Sequence, residues 1–405
     1  MTVSIWQQAR HEQEAVYDVI VVGGGIIGCS TAYWLSRRQP SLRVALLEAR
    51  TLGAGASGRN AGFVLQGTHT DYRSDMDRYG ERTARRLWNF TRENRDLLAK
   101  ELRGTAFDWR SDGSLTAAGS AAEEERLRAG LPHLRTAGVP AIYLDPDEAN
   151  ARVRASGFHG GLFVTSGAVV DPLRLVRHIA AKSEADVHTL HPVEGIAWRD
   201  SGVRLDTPKQ RFRADRVVLA MGPSLPELVP STSAFVRPVR AQMLATAPAE
   251  AHDIPVPVYS HGGGFYVRQL DDGRVLAGGG RHPHRDAEET STDATTPAVQ
   301  ATIERYLHTY FPWTQSLPIA QRWSGTMGFS PDERPVVGRV PDHPNGLFAT
   351  GFTGHGIGYG FRMGRLLADL AGGGQPPKAL DLFAASRFEG AERQPESDAD
   401  AQQRT

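Results

Sequence analysis

The chain has 405 residues, 40% of them hydrophobic, enough to build two domains or one large domain with insertions. Its 46 basic and 46 acidic residues cancel to a formal net charge of +0, which gives no electrostatic reason to expect a nucleic acid or an anionic membrane as partner. Cys29 is the only cysteine, so no intramolecular disulfide can form, as fits a reducing cytoplasm.

Residues 1–16, MTVSIWQQARHEQEAV, have no basic start and no apolar core, so no signal peptide is expected. Val19 to Val22 is a β-branched run without polar alternation, the pattern of a parallel strand buried on both faces. Gly23, Gly25 and Gly28 then form GxGxxG. The first makes a tight turn, the second lets backbone approach a pyrophosphate, and the third lets the next helix pack on the strand. That helix would open with Ile26 and Ile27, and its free N–H groups and positive dipole end suit a diphosphate. Val44 to Leu47 reads as the next strand. Glu48 stands twenty residues after Gly28, where a carboxylate can accept from a ribose 2′-OH and disfavours a 2′-phosphate. The unit therefore predicts NAD or FAD rather than NADP. Val19 to Ser36 is uncharged and raises the question of a membrane span, but three consecutive glycines and the motif itself argue for a buried strand and helix.

The next segment, residues 51–64, reads TLGAGASGRNAGFV. Ala56 and Ala61 allow close backbone approach, Ser57 and Asn60 offer hydrogen bonds, and Arg59 offers a cation. A simple NAD dehydrogenase would instead continue into further βα units. With the glycine motif before it, the segment resembles the flavin-cradling loop of the FAD-dependent amine and D-amino-acid oxidase superfamily, which includes glycine oxidase and sarcosine oxidase.

The resemblance extends over nearly the whole chain. SGAVVDP at 166–172 is similar to the family segment before a helix, here Leu173 to Lys182, and Val193 would then meet the adenine through its backbone. RADRVVLAMG at 213–222 resembles the strand that returns to the FAD domain and ends at Gly222. LFATGFTGHGIGYGFRMGRLLADLAG at 347–372 gives a strand, a glycine turn and a helix. Its turn Gly354-His355-Gly356, with Ile357, is aimed by resemblance at the flavin pyrimidine, where a helix dipole would stabilise negative charge. Gly325 is also assigned to the cofactor.

The implied architecture is α/β: a discontinuous FAD-binding Rossmann-type domain at 1–75, 150–232 and 322–388, and a substrate domain at 76–149 and 233–321 with a mainly antiparallel sheet and helices. Within the latter, Arg82, Arg85, Arg86, Arg92 and Arg95 read as the wet face of a helix whose dry side carries Leu87, Phe90, Leu97 and Leu98. Asp272-Gly273 reads as a hairpin turn. The tail 389–405 has too little apolar content to pack and is expected to be disordered.

The chemistry implied by the resemblance is oxidation of an amine or amino acid: hydride passes to flavin N5, the imine is hydrolysed, and molecular oxygen reoxidises the flavin. The protein then orients and excludes water. In glycine-oxidase-like members the pattern Trp-x-Gly-x-Arg supplies an arginine for the substrate carboxylate. Here the segment is Trp323-Ser324-Gly325-Thr326-Met327, and methionine cannot pair a carboxylate. GASGRN followed by FTGHGI is closer in pattern to the γ-glutamylputrescine oxidoreductase branch, whose substrates carry an amine on a longer chain. Arg240, Arg268 or Arg322 are the alternative clamps, and with one of them a D-amino-acid, glycine or imino-acid oxidase or dehydrogenase is the alternative activity.

Tyr259, Tyr266, Met243, Met327 and His355 are the candidate pocket residues. Family members that link the flavin covalently do so through a cysteine in the region that the resemblance places near 326; Cys29 is the only cysteine here, so FAD is expected to be noncovalent. The four lysines, Lys100, Lys182, Lys209 and Lys378, fall outside the segments where family members place an oxygen-activating lysine, which leaves oxygen or another acceptor open, with Arg59 or His355 as the candidates for a cation. His282-Pro283-His284 lacks further ligands spaced with it, and no metal is expected. A flavin-binding redox module without turnover is the rival of another class.

Overall fold

The computed structural model describes residues 14–102, 106–375 and 377–388. The tail from 389, expected to be disordered, and most of the segment read for a signal peptide lie outside the described residues.

Two eight-stranded sheets organise the described residues. In the first, Glu14–Val22 runs parallel between Val44–Leu47 and Arg211–Leu219. Asp186–His188 extends the parallel set on one side and His343–Thr350 on the other. Val336–Val340 closes that edge antiparallel, and the hairpin Gly195–Arg199, Gly202–Asp206 folds onto Arg211–Leu219. Val19 to Val22 and Val44 to Leu47 are buried throughout, as unbroken apolar runs require in a sheet covered on both faces.

The helix Ile26–Arg38 follows the glycine turn and is buried around its whole circumference from Ile26 to Ser36. It lies between the sheet and the helix Gly356–Ala371, to which Trp34 Nε1 is bonded through Phe361 O at 2.9 Å. The predicted helix Leu173 to Lys182 runs over Pro172–Ala181, started by Asp171, whose side chain accepts from the Arg174 N–H at 2.9 Å.

The second sheet is ordered Ile319–Phe329, Arg237–Pro248, Arg274–Gly279, Phe265–Gln269, Val258–Ser260, Ser114–Ala117, Gly161–Val164, Ala141–Leu144. Its pairings are antiparallel except between Val258–Ser260 and Ser114–Ala117. The Asp272-Gly273 turn joins two of its strands, with Gly273 at φ +86.

Some segments pack differently from the expected boundaries. Gly161–Val164 and residues 322–329 run in the second sheet, although 150–232 and 322–388 were assigned to the FAD-binding part. The helix Glu81–Glu101 buries Leu87, Phe90 and Leu98 in the core around Tyr33 and Phe361 of the first unit. Its Asn94 is fully buried, donating to Ile357 O at 3.1 Å and accepting from the Arg362 N–H at 2.9 Å. Composition marks where the chain changes texture; it does not say which sheet a strand joins.

Candidate active site

A cavity of about 2010 Å³ lies between the carboxyl ends of the parallel strands and one face of the second sheet. That exceeds the roughly 300–1,000 Å³ of a drug-sized site and leaves room for a dinucleotide together with a substrate.

One end is the glycine turn. A Cβ at Gly28 would lie 1.8 Å from the Gly23 carbonyl oxygen, so only glycine lets the helix seat on the turn and bring Gly25, Ile26 and Ile27 to the cavity wall. The Ile26 N–H donates to Ser57 Oγ at 2.9 Å, so Ser57 caps the helix, and its hydroxyl keeps a proton to donate. Glu48 accepts from the Gly24 N–H through Oε2 and from the Arg50 N–H through Oε1, each at 2.7 Å, which fixes its carboxylate at the cavity edge. The backbone of Glu48 exchanges 2.9 Å bonds with His188 and His191, and the chain then continues to Val193, another lining residue. Backbone N–H donors at a helix start, a seated carboxylate acceptor and a long cavity are what a dinucleotide such as FAD needs.

The loop beyond uses its polar side chains differently from the sequence expectation. Asn60 Nδ2 donates to Ala56 O (2.9 Å) and Ser57 O (3.0 Å), and Oδ1 accepts from the Gly62 N–H (2.7 Å), so Asn60 shapes its own loop. Arg59 Nη1 donates to both oxygens of Asp293 at 2.7 Å and to Ser324 O at 3.0 Å, and Trp323 Nε1 donates to Arg59 O at 2.9 Å. Arg59 therefore pins the loop, including Ala61, to the second sheet, against Gly325, and its charge is already matched.

Strand register defines the facing wall. Met243 pairs with Trp323 and Val239 with Met327, and alternation places Met243, Trp323 and Met327 on the face that lines the cavity. Met243 also pairs with Gly278, Gly278 with Tyr266, and Tyr266 with Tyr259. A Cβ at Gly278 would lie 2.3 Å from Tyr266 Cε2, so glycine there lets the phenol ring cover the sheet. Phe63 packs edge-on against both phenols, with ring centres 5.2 and 6.3 Å away. Burial pushes the Tyr266 hydroxyl up to about 12 and raises Tyr259 as well, so both are neutral donors at ordinary pH.

The third wall is the turn before Gly356–Ala371. Thr353 (φ +45) and Gly354 (φ +75) are both left-handed, a strained conformation for a β-branched residue. The Thr353 N–H donates to Gly328 O at 2.9 Å, and Met327 Sδ lies 3.2 Å from where a Gly354 Cβ would stand. Gly222 (φ +60) joins this end, its carbonyl accepting from Thr350 Oγ1 at 2.8 Å. Ile357 and Gly356 line the cavity at the helix start.

His355 is 6% exposed, and its Nε2 has no hydrogen-bond partner among the described residues. Burial, reinforced by His69, pushes it down to about 4, so the ring is neutral. Of the two candidates for a cation, Arg59 is paired with Asp293 and the His355 ring is neutral.

The alternative clamps are also engaged. Arg240 grips Glu288 through Nε (2.8 Å) and Nη2 (2.7 Å), Arg268 Nη1 holds Ala61 O and Val170 O at 2.8 Å, and Arg322 Nη2 pairs with Glu304 at 2.6 Å. The cation that sequence reasoning missed is Arg281, which lines the cavity with its guanidinium 4.9 Å from the centre of the Phe329 ring. Its only signal was its place just after the strand that carries Gly278. No group of three or more metal-ligating side chains occurs among the described residues, and His284 Nε2 lies 3.3 Å from Thr302 Oγ1.

The chain is similar to the probable oxidoreductase OrdL of Rhizobium meliloti, 26% identical over 376 residues, covering 87% of this chain and 82% of that one. It is 27% identical to the γ-glutamylputrescine oxidoreductase of Escherichia coli over 393 residues, covering 91% and 86% respectively. The fold is shared with the crystal structure of glycine oxidase from Geobacillus kaustophilus, with a TM-score of 0.76 at 24% identity, covering 89% and 96%. Residues 18–370 match the DAO family, and the chain belongs to these FAD-dependent oxidoreductases.

Proposed function

We propose that the chain oxidises the carbon–nitrogen bond of a small-molecule amine to an imine, which water hydrolyses to a carbonyl compound, with molecular oxygen leaving as hydrogen peroxide. Bound FAD supplies what the side chains lack, a two-electron acceptor for the hydride lost by the substrate carbon. The chain itself binds, orients and keeps water out.

The observation that carries this reading is the single cavity face of Tyr259, Tyr266, Met243, Trp323 and Met327 opposite the cradle. An apolar, phenolic wall disfavours an ammonium ion, so the amine is held uncharged, the form whose carbon can release hydride. Tyr266 and Tyr259 stay protonated and can donate to a substrate oxygen or accept from its N–H. Met327 stands where a cation would be needed beside the Gly354 turn to pair an α-carboxylate, which favours a longer amine over glycine or D-alanine. The similarity to γ-glutamylputrescine oxidoreductase supports the same choice. The cytoplasm is the proposed compartment, supported by the single, fully buried cysteine.

The test is an anaerobic bleaching screen of the FAD-loaded protein with glycine, sarcosine, D-alanine, proline, putrescine and γ-glutamylputrescine. The long amines should bleach the yellow colour at the lowest concentrations, and admitting oxygen should restore it with equimolar peroxide. Bleaching by glycine or D-alanine ahead of the long amines would overturn the substrate reading. Slow recolouring without peroxide would make the protein a dehydrogenase, and no bleaching by any amine would favour a redox module without turnover.

A further inference from the structure

Arg281 leaves the end of the strand Arg274–Gly279 and turns into the cavity, over the Phe329 ring. Phe329 lies two residues beyond Met327 on the strand Ile319–Phe329, so both belong to the cavity face, about 7 Å apart along the strand. The acids nearby serve other groups. Glu288 holds Arg240 and accepts from Gln242 Nε2 at 2.9 Å, Glu289 pairs with Arg237, and Asp293 pairs with Arg59. Among the described residues no carboxylate forms an ion pair with Arg281. Burial, with Arg285 and Arg237 adding like charge, pushes its guanidinium down to about 10. The Phe329 ring offsets part of the charge but cannot supply the paired acceptors that a planar guanidinium matches. An anion in the cavity would remove this imbalance.

We propose that Arg281 binds a carboxylate of the substrate, and that the amine oxidised carries this acid several bonds away from the reacting carbon. The inference rests on the amine-oxidation reading above. A cation at 327 would sit against the Gly354 turn and suit an α-carboxylate. Arg281 instead lies over Phe329, two residues farther along the strand, and suits an acid several bonds from the reacting carbon; a strand rise of about 7 Å corresponds to about five to six bonds of extended chain. An ω-amino acid of the length of 6-aminohexanoate has the required form, with an apolar stem to lie on the Met243 and Tyr266 wall.

The probe for the anion site is hexanoate, which has the acid and stem but no amine to oxidise. Titrated into the FAD-loaded protein and followed by calorimetry and flavin absorbance, it should bind the wild type and lose about 10- to 100-fold in affinity in Arg281→Gln, with Arg281→Lys between them. In anaerobic bleaching, 6-aminohexanoate should outpace both glycine and hexylamine in the wild type, and its advantage over hexylamine should collapse in Arg281→Gln. Equal hexanoate affinity in wild type and variant overturns the proposal, as does glycine bleaching ahead of 6-aminohexanoate. If hexanoate binding depends on Arg281 but no amine bleaches the flavin, the oxidation reading fails while the anion site stands. Should Arg281→Gln not load FAD, hexanoate, unlike hexylamine, should protect Arg281 of the wild type from a guanidine-specific dicarbonyl, read by peptide mass; absence of protection overturns the proposal.

Discussion

Replacing His355 tests the electrostatics of the cavity. In the native protein its ring is 6% exposed, Nε2 has no partner among the described residues, and burial holds the group at about 4. In the unfolded chain it returns to about 6.5. The unfolded state then takes up the proton first as pH falls, so the stability tied to the neutral ring is whole above pH 6.5 and is lost on the way down to pH 4. Between pH 8 and pH 5 the loss is RT ln[(1 + 10^1.5)/(1 + 10^−1)], about 2 kcal/mol. His355→Gln is uncharged throughout and lacks this slope.

Urea unfolding of both proteins at pH 8 and pH 5, in saturating FAD, should show the wild type losing about 2 kcal/mol more than the variant. Taking the difference cancels Asp75, which acts in the opposite sense. Burial pushes its carboxyl up to about 6, so its contribution is whole below the unfolded value and is lost as pH rises through 6. Equal pH slopes in the two proteins would refute the reasoning, as would an imidazole titration in the native protein centred near 6.5.

Gly28→Ala forces a methyl 1.8 Å from the Gly23 carbonyl oxygen, so the helix must lift by about 1.5 Å or more to restore contact distance; FAD retention on gel filtration should fall at least tenfold, and wild-type retention would disprove the seating argument. Asp293→Ala removes a partner that is 53% exposed, so unfolding free energy should change by less than about 1 kcal/mol. FAD should nevertheless dissociate several-fold faster, because Arg59 no longer pins the loop to the second sheet; an unchanged off-rate would rule out that clamp. Met327→Arg in the Arg281→Gln background should move the bleaching preference toward glycine and D-alanine, and no movement would show that selection is not made on this strand face.

The glycine turn and the acid after the second strand were readable because their requirements are local. Gly23, Gly25, Gly28 and Glu48 lie within one strand-turn-helix-strand unit, and each residue type answers a backbone requirement a few residues away. The partners of the next loop's side chains were not readable for the opposite reason. Arg59 was read as a fixed cation, but what fixes it, Asp293, is 234 residues distant, and Asn60 was read as offering hydrogen bonds without sight of Ala56, Ser57 and Gly62, which it bonds. Asn94 gave no signal at all: a polar residue between Arg-rich turns looks solvated until its partners, Ile357 and Arg362, are packed against it. Where the helix Glu81–Glu101 packs was hidden in the same way, since its dry stripe of Leu87, Phe90 and Leu98 fits any apolar surface.

Substrate selection lies at the far end of this scale. The cradle is built from backbone and tolerates few residues, whereas the facing wall is built from alternate side chains of several strands, so a one-residue change of register would exchange the wall for the back of the sheet. Arg240 and Arg281 show the consequence. Both are arginines of the second-sheet region, yet register sends Arg240, opposite Thr326, to the back where Glu288 holds it, while Arg281 reaches the cavity from beyond a strand end. Sequence position alone does not separate these two arginines; the pairing of Met243 with Gly278 and of Gly278 with Tyr266 shows which side of the sheet faces the cavity. If the proposed carboxylate site at Arg281 holds, a clamp at 281 in place of one at 327 leaves every cofactor motif unaltered, so the same glycine turn would be compatible with acids held at different distances from the reacting carbon.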